Sequence, residues 1–476
     1  MAELPLPIGT YRLPSPEASG RRLVNLYAAI APPDKPRNKP VHLVRAPGIR
    51  SWVDTAQGEV RGAVVMAGTL YVVAGANLYT VSQGGIVAQV TGAAITGNGP
   101  VRVEKNGAVT PVLFITPNNG DGFSSNGSTV VQEVSAVFTS GQGGAHVSFL
   151  DQYFVFRRRG TAQIFNSGLN AVTFDALDVT TADGAPDNLL GLIVNNREII
   201  AAGETSVERW YNAAKPTGSP FARSPGGFYE IGCGAGDSLA NQDNSVAMLA
   251  NDKTFRRLGA TWDRISHDGI DSELQRIPVV ADCCAIPYRQ EGHHFVAWTL
   301  PNAGRTFVID YNTGEWHERE SRIGTVSIGR WRPSLVIDAY GMQIVGDSQS
   351  GKLGILDPDT HEEWGEPQVV EWTYQPVYGE RLKASHNRLE IGISAGQGAV
   401  TGQGSNPLLT LFASDDGGNT YRARPVRSLG VLGDYRKRVV YDNLGESRAR
   451  GYKCQVSDPC RLFVLDTLLD VTGGRI

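Results

Sequence analysis

The sequence predicts an all-β chain: a β-propeller of six or seven blades, preceded by an extended proline-rich N-terminal arm and followed by a C-terminal β-sandwich-like domain. Three observations carry this prediction. Glycine is abundant and evenly spread, helical periodicity is nearly absent, and strand-turn-strand units restart at a regular step.

Fifty-six of the 476 residues are glycine, about 12% where roughly 7% is ordinary. They follow no collagen-like period and often neighbour Asn, Asp or Ser. Glycine reaches positive φ without a Cβ penalty, so scattered glycines mark many tight turns and therefore many short strands. No long stretch places apolar residues at the three-and-four spacing of an amphipathic helix.

The clearest unit runs from Gly62 to Thr91. Ala63 to Met66 reads as a strand, Gly68 as a turn and Leu70 to Val73 as the next strand. Gly75-Ala76-Asn77 turns again, Leu78 to Val81 follows, and Gly84-Gly85 leads into Ile86-Val87. Four short antiparallel strands in about 30 residues form one twisted meander, the unit of a propeller blade. A second unit pairs Leu189–Val194 with Glu198–Ala202 across Asn195-Asn196, then turns into Val207–Tyr211. A third spans His294 to Glu320, with turns at Pro301–Gly304 and Asn312–Gly314. Asn- and Gly-rich turns fit hairpins because their backbone twist matches that of the flanking strands. Comparable starts fall near residues 60, 100, 145, 190, 240, 284 and 336, a step of roughly 40 to 50 residues that suits propeller blades. A stacked solenoid or a row of β-sandwiches is the alternative.

The ends differ from the middle. Residues 1–45 hold eight prolines (5, 7, 14, 16, 32, 33, 36 and 40). Proline fixes φ and removes a ladder donor, so this segment reads as an extended arm lying on another surface. Residues 46–365 form the propeller on this reading. From 366 to 476 the strands lengthen, at Val369–Tyr374, Asn387–Ile393, Leu408–Ala413, Arg436–Tyr441, Tyr452–Val456 and Arg461–Leu465, and read as a sandwich.

A net charge of −4 and an isoelectric point near 6.1 argue against tight phosphate binding as the main task. The first residues lack a signal peptide's basic start and apolar run. The longest uncharged apolar stretch, Ala63–Ala76, is broken by Gly68 and Gly75 and falls short of the roughly 20 residues of a membrane span. A soluble chain without membrane contact is expected. Cys233, Cys283, Cys284, Cys454 and Cys460 are too few and irregular for a disulfide framework or zinc site. Free thiols are expected, with a Cys454–Cys460 bridge across Ser457-Asp458-Pro459 as the alternative.

Several motifs have a structural and a functional reading. Ser414-Asp415-Asp416-Gly417-Gly418-Asn419-Thr420-Tyr421 matches the Asp-box pattern, in which Asp416 accepts backbone N–H groups and Gly418 supplies positive φ. Sialidases carry such boxes, but as turns. Arg157-Arg158-Arg159 could meet DNA phosphates or form a solvated hairpin tip. Arg422, Arg424, Arg427, Arg436, Lys437 and Arg438 form a second basic cluster, better assigned to subunit contacts than to DNA. Asp357, Asp359, Glu362 and Glu363 lack the Gly and terminal Glu of a calcium loop and read as a polar turn. His293 and His294 point to opposite faces of a strand, which disfavours one metal holding both. Neither a P-loop, Gly-x-Ser-x-Gly, HExxH nor a Gly-x-Gly-x-x-Gly opening a helix occurs. The motif search names no catalytic, cofactor-binding or metal-ligating residue.

Some short segments carry a resemblance by their order along the chain. They are Val24-Asn25-Leu26-Tyr27-Ala28, Arg45-Ala46-Pro47-Gly48-Ile49, and the first blade from Arg61-Gly62 through Leu70-Tyr71 to Leu78-Tyr79. Phe174-Asp175-Ala176, Pro186-Asp187, GETSVERWYNAA, PFAR and EIGCGAGDSLA follow, then SDDGGNTY and YRKRVVYDNLG. Together they resemble the tail-hub, or packaged-DNA-stabilisation, proteins of short-tailed bacteriophages. The resemblance implies a homo-oligomeric ring, expected to be a hexamer, added after packaging below the portal and its adaptor ring. Such a ring helps retain DNA without reading its sequence and carries tail needle, fibre or spike proteins. It also implies a virion tail location after assembly in the host bacterial cytoplasm, with no catalysis and no cofactor. Two other readings stand beside it. A propeller sialidase or glycosidase would cluster catalytic Arg, Asp, Glu and Tyr on the axis. A carbohydrate- or receptor-binding tail propeller would expose Trp210, Trp298, Trp316 and Trp331 in a groove, where the hub reading packs them inside blades.

Overall fold

The computed structural model describes residues 2–30, 41–139, 142–378 and 382–473. Its propeller has seven blades, each a four-stranded antiparallel sheet. The innermost strands are Val60–Met66, Val101–Lys105, Gly144–Leu150, Leu189–Asn195, Ala240–Gln242, Cys284–Gln290 and Pro333–Ala339. These starts follow the seven expected from the sequence. Asn196 and Arg197 both take positive φ, at 48° and 62°, as a two-residue hairpin between right-twisted strands requires.

Strand alternation builds the ring. Side chains of a strand face opposite sides in turn, so each middle strand feeds two interblade cores. Ile199 and Ala201 pack with Val155, Ile164 and Trp210 between blades 3 and 4, while Ile200 and Ala202 pack with Val246 and Met248 between blades 4 and 5. Phe114 joins Phe138, Phe154 and Phe156 between blades 2 and 3, whereas its neighbours Leu113 and Ile115 face blade 1. The last core, with Val60, Leu70, Val72, Ile344 and Leu353, joins blade 7 to blade 1 and closes the circle.

Closure uses a strand from the chain's start. Blade 7 takes Pro333–Ala339, Met342–Asp347 and Lys352–Asp357 from the end of the propeller and Gly48–Asp54 as its fourth strand, in antiparallel register from Lys352↔Asp54 to Asp357↔Gly48. The first and last parts of the ring are thus hydrogen-bonded together.

The segment expected as an arm is extended, and the surface it lies on is its own chain. Gly20–Val24 runs parallel to blade 6, with Val24 opposite Glu318, and antiparallel to Val370–Thr373 of the C-terminal domain. Leu26–Ile30 pairs with Val41–Arg45, which pairs with the last strand, Phe463–Gly473. The reason is compositional: residues 17–31 contain no proline, so their ladder donors are intact. The expected prolines 32, 33, 36 and 40 lie outside the described residues. Asn25, at φ 54°, bends the chain from one sheet to the other. Its backbone N–H donates to Glu318 O at 2.9 Å, and its side-chain amide donates to Glu320 O and Val369 O.

The C-terminal sandwich closes over one core, in which Leu23, Leu43, Trp372, Leu411, Tyr452 and Val464 are all fully buried. One departure from the sequence reading is the helix Asp268–Arg276. It is only nine residues long, too short for its Ile270 and Leu274 pair to register as a period. It is capped by the His267 side chain, which accepts from Ile270 N.

Candidate functional site: the axial channel and the domain junction

Two places concentrate polar side chains. The first is the axis, where a cavity of about 400 Å³ is lined by residues from all seven innermost strands, among them Arg61, Arg102, Glu104, Asn241, Cys284 and Ser334, together with Asp237 from the turn before blade 5. A bulge between Ala145 and Ser148 in blade 3 puts His146 at φ 52°. Its ring faces Asp237, which follows blade 4. The His146 Nε2 to Asp237 Oδ1 distance is 3.2 Å. Arg157 Nε donates to His146 Nδ1 at 3.0 Å, so the ring proton sits on Nε2 and is directed at the carboxylate. Asp237 also receives Asn118 Nδ2 at 2.7 Å and faces Arg102 at 3.4 Å.

Burial, with Arg157 beside it, pushes the His146 imidazole down to about 4. Burial opposes ionisation of Asp237, but the His146 hydrogen bond and the Arg102 and Arg157 cations hold its carboxyl well below the usual range. The nearby thiols are protonated: burial raises Cys233 to about 11 and Cys284 to about 12. His146 has both ring nitrogens engaged and Asp237 is charge-compensated. With Arg157 Nη1 also donating to Leu189 O of blade 4 at 3.2 Å, the cluster fastens blades 2, 3 and 4 to the segment entering blade 5, and leaves no poised base beside a thiolate.

The second place is the junction of propeller and sandwich. Arg22 pairs with Glu318 at 2.8 Å, Glu320 at 2.5 Å and Glu371 at 3.4 Å, while Arg305 also reaches Glu318 at 3.2 Å. Arg319, fully buried, lies 4.4 Å over the Trp331 ring, pairs with Glu363 at 3.3 Å and donates to Pro47 O at 2.9 Å. Arg45 donates to Gln368 Oε1, Asp458 O, Cys460 O and His361 O at 2.8 to 3.2 Å. One guanidinium thereby ties the N-terminal strand to four separate positions.

The motifs singled out in the sequence fall elsewhere. Arg157, Arg158 and Arg159 form neither a phosphate patch nor a shared solvated tip: alternation turns Arg158 away from Arg157, and Arg159 lies past the end of the strand Tyr153–Arg158. Arg157 is buried at the axis, Arg158 bonds Gln163, and Arg159 donates to Asn119 O. The Asp box is a turn. Asp416 accepts from Ser414 Oγ, Asn419 N, Thr420 N and Thr420 Oγ1, and Gly418 has φ 97°. In the basic cluster Arg438 pairs with Glu390 at 2.5 Å, Arg427 covers the Tyr441 ring and Arg424 donates to Leu444 O. Asp357 receives Arg50, Asp359 N and Thr360, whereas Glu363 is turned inward to Arg319. His293 contacts Asp310 at 2.7 Å and His294 lies towards Asp243. All five cysteines are free. Trp298, Trp316 and Trp331 are at most 1% exposed and Trp210 is 5% exposed. Sequence reasoning missed Arg45, His146, Asp237 and Arg319, whose roles depend on partners far along the chain.

A closed propeller whose polar clusters bind its own blades, fused to a β-sandwich, defines a structural propeller-plus-sandwich protein. Comparison with family models gives the particular one. Residues 2–361 match the bacteriophage P22 Gp10 β-propeller and residues 363–471 match the bacteriophage P22 Gp10 β-sandwich, so the chain belongs to the family of this phage structural protein and is a virion component. No curated protein matches. A solved structure described as YCF48 bound to D1 peptide is similar over 66% of this chain and 99% of its own, at 12% identity and a TM-score of 0.40.

Proposed function

We propose that this protein is the tail hub of a short-tailed phage. On this reading, several copies form a ring, expected to be a hexamer, below the portal and its adaptor ring. The ring retains packaged DNA and carries the needle, fibre or spike proteins. The observation that carries it is the knitting of both domains by residues 20–30 and 41–54, which makes a rigid block out of two folds. A part that bears the pressure of packaged DNA needs that rigidity more than it needs a pocket.

The axial channel supports one refinement. Side chains from all seven innermost strands crowd the axis and leave a cavity of about 400 Å³, far less than the volume of one turn of a duplex with a major groove about 12 Å wide. The DNA path is therefore the lumen between copies, and a net charge of −4 suits a lumen that must let DNA slide. The protein acts without catalysis, and assembly takes place in the host cytoplasm. Burial of Trp210, Trp298, Trp316 and Trp331 favours the hub over a carbohydrate-binding propeller, which would display them.

Native mass spectrometry of the chain, alone and mixed with the portal–adaptor assembly, tests the reading. Loading in a fixed ring stoichiometry is expected. A chain that ignores that assembly overturns the proposal.

A further inference from the structure

Two hydrogen-bonded loops, one in the sandwich and one in blade 3, expose large apolar side chains beside opposite charges. The first is residues 429–437, in the sandwich. It is held by backbone bonds from Leu429 N to Pro407 O, Gly433 N to Gly396 O, Asp434 N to Val431 O and Lys437 N to Asp434 O. This scaffold points Val431, Leu432 and Tyr435 outward, with Tyr435 70% exposed. Arg436 and Lys437 flank them, are exposed, and take part in no ion pair among the described residues.

The second loop is residues 167–178, in blade 3. It is equally fixed, by Ser167 N to Phe154 O, Gly168 N to Thr173 O and Asn170 N to Gln152 O, and by Phe174 packed against Phe114 and Phe138. It displays Leu169 and Leu177, the latter 77% exposed, next to Asp175 and Asp178. Burial and the neighbouring Asp175 carboxylate raise the Asp178 carboxyl, and neither acid takes part in an ion pair among the described residues.

A loop held by its own hydrogen bonds need not turn apolar groups to water, so such displays mark contact surfaces. The sandwich joins the propeller at blade 6, across the ring of blades from blade 3. Tyr435 and Leu177 both stay exposed within one copy, so the two loops do not meet there. We propose that residues 431–437 of one copy dock on residues 169–178 of the next copy, with Arg436 and Lys437 against Asp175 and Asp178. Such a contact joins different surfaces, so it repeats head to tail and closes into a ring when the rotation allows. The inference rests on the ring reading above and names the surface that makes the ring.

The test is sedimentation of the full-length chain over a range of concentrations, with one reversal on each loop. Both Arg436→Glu/Lys437→Glu and Asp175→Arg/Asp178→Arg should weaken self-association about tenfold or more, as like charges across a contact do. An equimolar mixture should recover it, because each reversed loop then meets a complementary partner. Variants that assemble as the wild type does, or a mixture that fails to recover, overturn the contact while leaving the hub reading intact. A wild type that stays a single copy throughout also overturns it, and the hub is then judged by loading onto the portal–adaptor assembly.

Discussion

The propeller and the sandwich are both antiparallel β structures, yet they are assembled from the chain in opposite ways. In the propeller, strands pair with sequence neighbours: Val60–Met66 with Thr69–Ala74, then Thr69–Ala74 with Asn77–Val81. In the sandwich, Val44 pairs with Phe463 and Arg22 with Thr373, so one sheet needs both ends of the chain. Local pairings cost little loop-closure entropy, and distant ones form late and slowly. Blades can therefore form one after another, whereas ring closure waits for Gly48–Asp54 and the sandwich for Gly20–Val24 and Val41–Arg45. The N-terminal segment is the common clamp of two otherwise independent cores.

Removing that clamp should have the largest effect and break the comparison most directly. Deleting residues 2–30 takes away Gly20–Val24 and Leu26–Ile30 but leaves Gly48–Asp54 in blade 7. The expected outcome is a sandwich that no longer folds and a propeller that does. Limited proteolysis should leave one resistant fragment containing residues 48–357. A C-terminal domain that stays equally resistant would show that the clamp is dispensable.

Next in size is Arg319→Ala, at the junction. It strips Glu363 of its buried cation and Trp331 of the guanidinium above it, and breaking a buried pair from one side costs about 3–5 kcal/mol. Denaturant midpoints should fall accordingly. Adding Glu363→Gln should recover part of the loss, because the stranded charge is then gone. Equal losses in the single and double variants would mean that packing on Trp331, rather than charge, supplies the stability.

The same contrast explains what could be read from the chain. Blade starts were legible because turn residues and alternating apolar residues lie within one unit: Asn195-Asn196 announces the hairpin that follows Leu189–Val194. The sandwich strands were legible as strands, but their partners were not. Nothing local in Gly20–Val24 says that it lies between Trp316–Glu318 and Val370–Thr373. Arg157-Arg158-Arg159 reads as one patch in sequence because proximity hides both the alternation that parts Arg157 from Arg158 and the strand end that sets Arg159 apart. His146 and Asp237 were invisible as a pair, being ninety-one positions apart and joined through a bulge that no residue type demands. The turn of the Asp box was legible, since the partners of Asp416 itself lie within four residues of it.

Acid should probe the axial cluster. His146 is held neutral, its pKa lowered from 6.5 to about 4. A group whose folded pKa is depressed contributes stability that is complete above its unfolded pKa and lost as pH falls through the folded one. The propeller should thus weaken between pH 6.5 and about 4, by at most about 3 kcal/mol from this residue. His146→Asn suits the positive φ and removes the titrating group. It should be less stable than wild type at pH 7 and lose less on acidification, by thermal unfolding at pH 7 and 4.5. Parallel acid losses in the two proteins would assign the sensitivity to other histidines, such as His317, which burial and Arg319 also lower, to about 3.

The smallest effect should come from the most legible motif. Asp416→Asn keeps one carbonyl acceptor for Asn419 N and Thr420 N but turns an amide donor on the Thr420 backbone and hydroxyl groups. The hydrogen bonds from Ser414 and Thr420 hold the Asp416 carboxyl well below its ordinary value, so the turn uses the charged form. It lies at the surface, however, where water replaces lost partners and a cap-type bond is worth about 1 kcal/mol. Amide exchange should quicken at Asn419 and Thr420, while global unfolding shifts by no more than about 2–4 °C. A larger shift would mean that the box also anchors the segment at Glu17, whose side chain lies against Gly417 and whose carbonyl receives Gln375 and Tyr378. The turn would then belong with the N-terminal clamp rather than with local structure, and the division between neighbour-built and end-built parts would shift by one element.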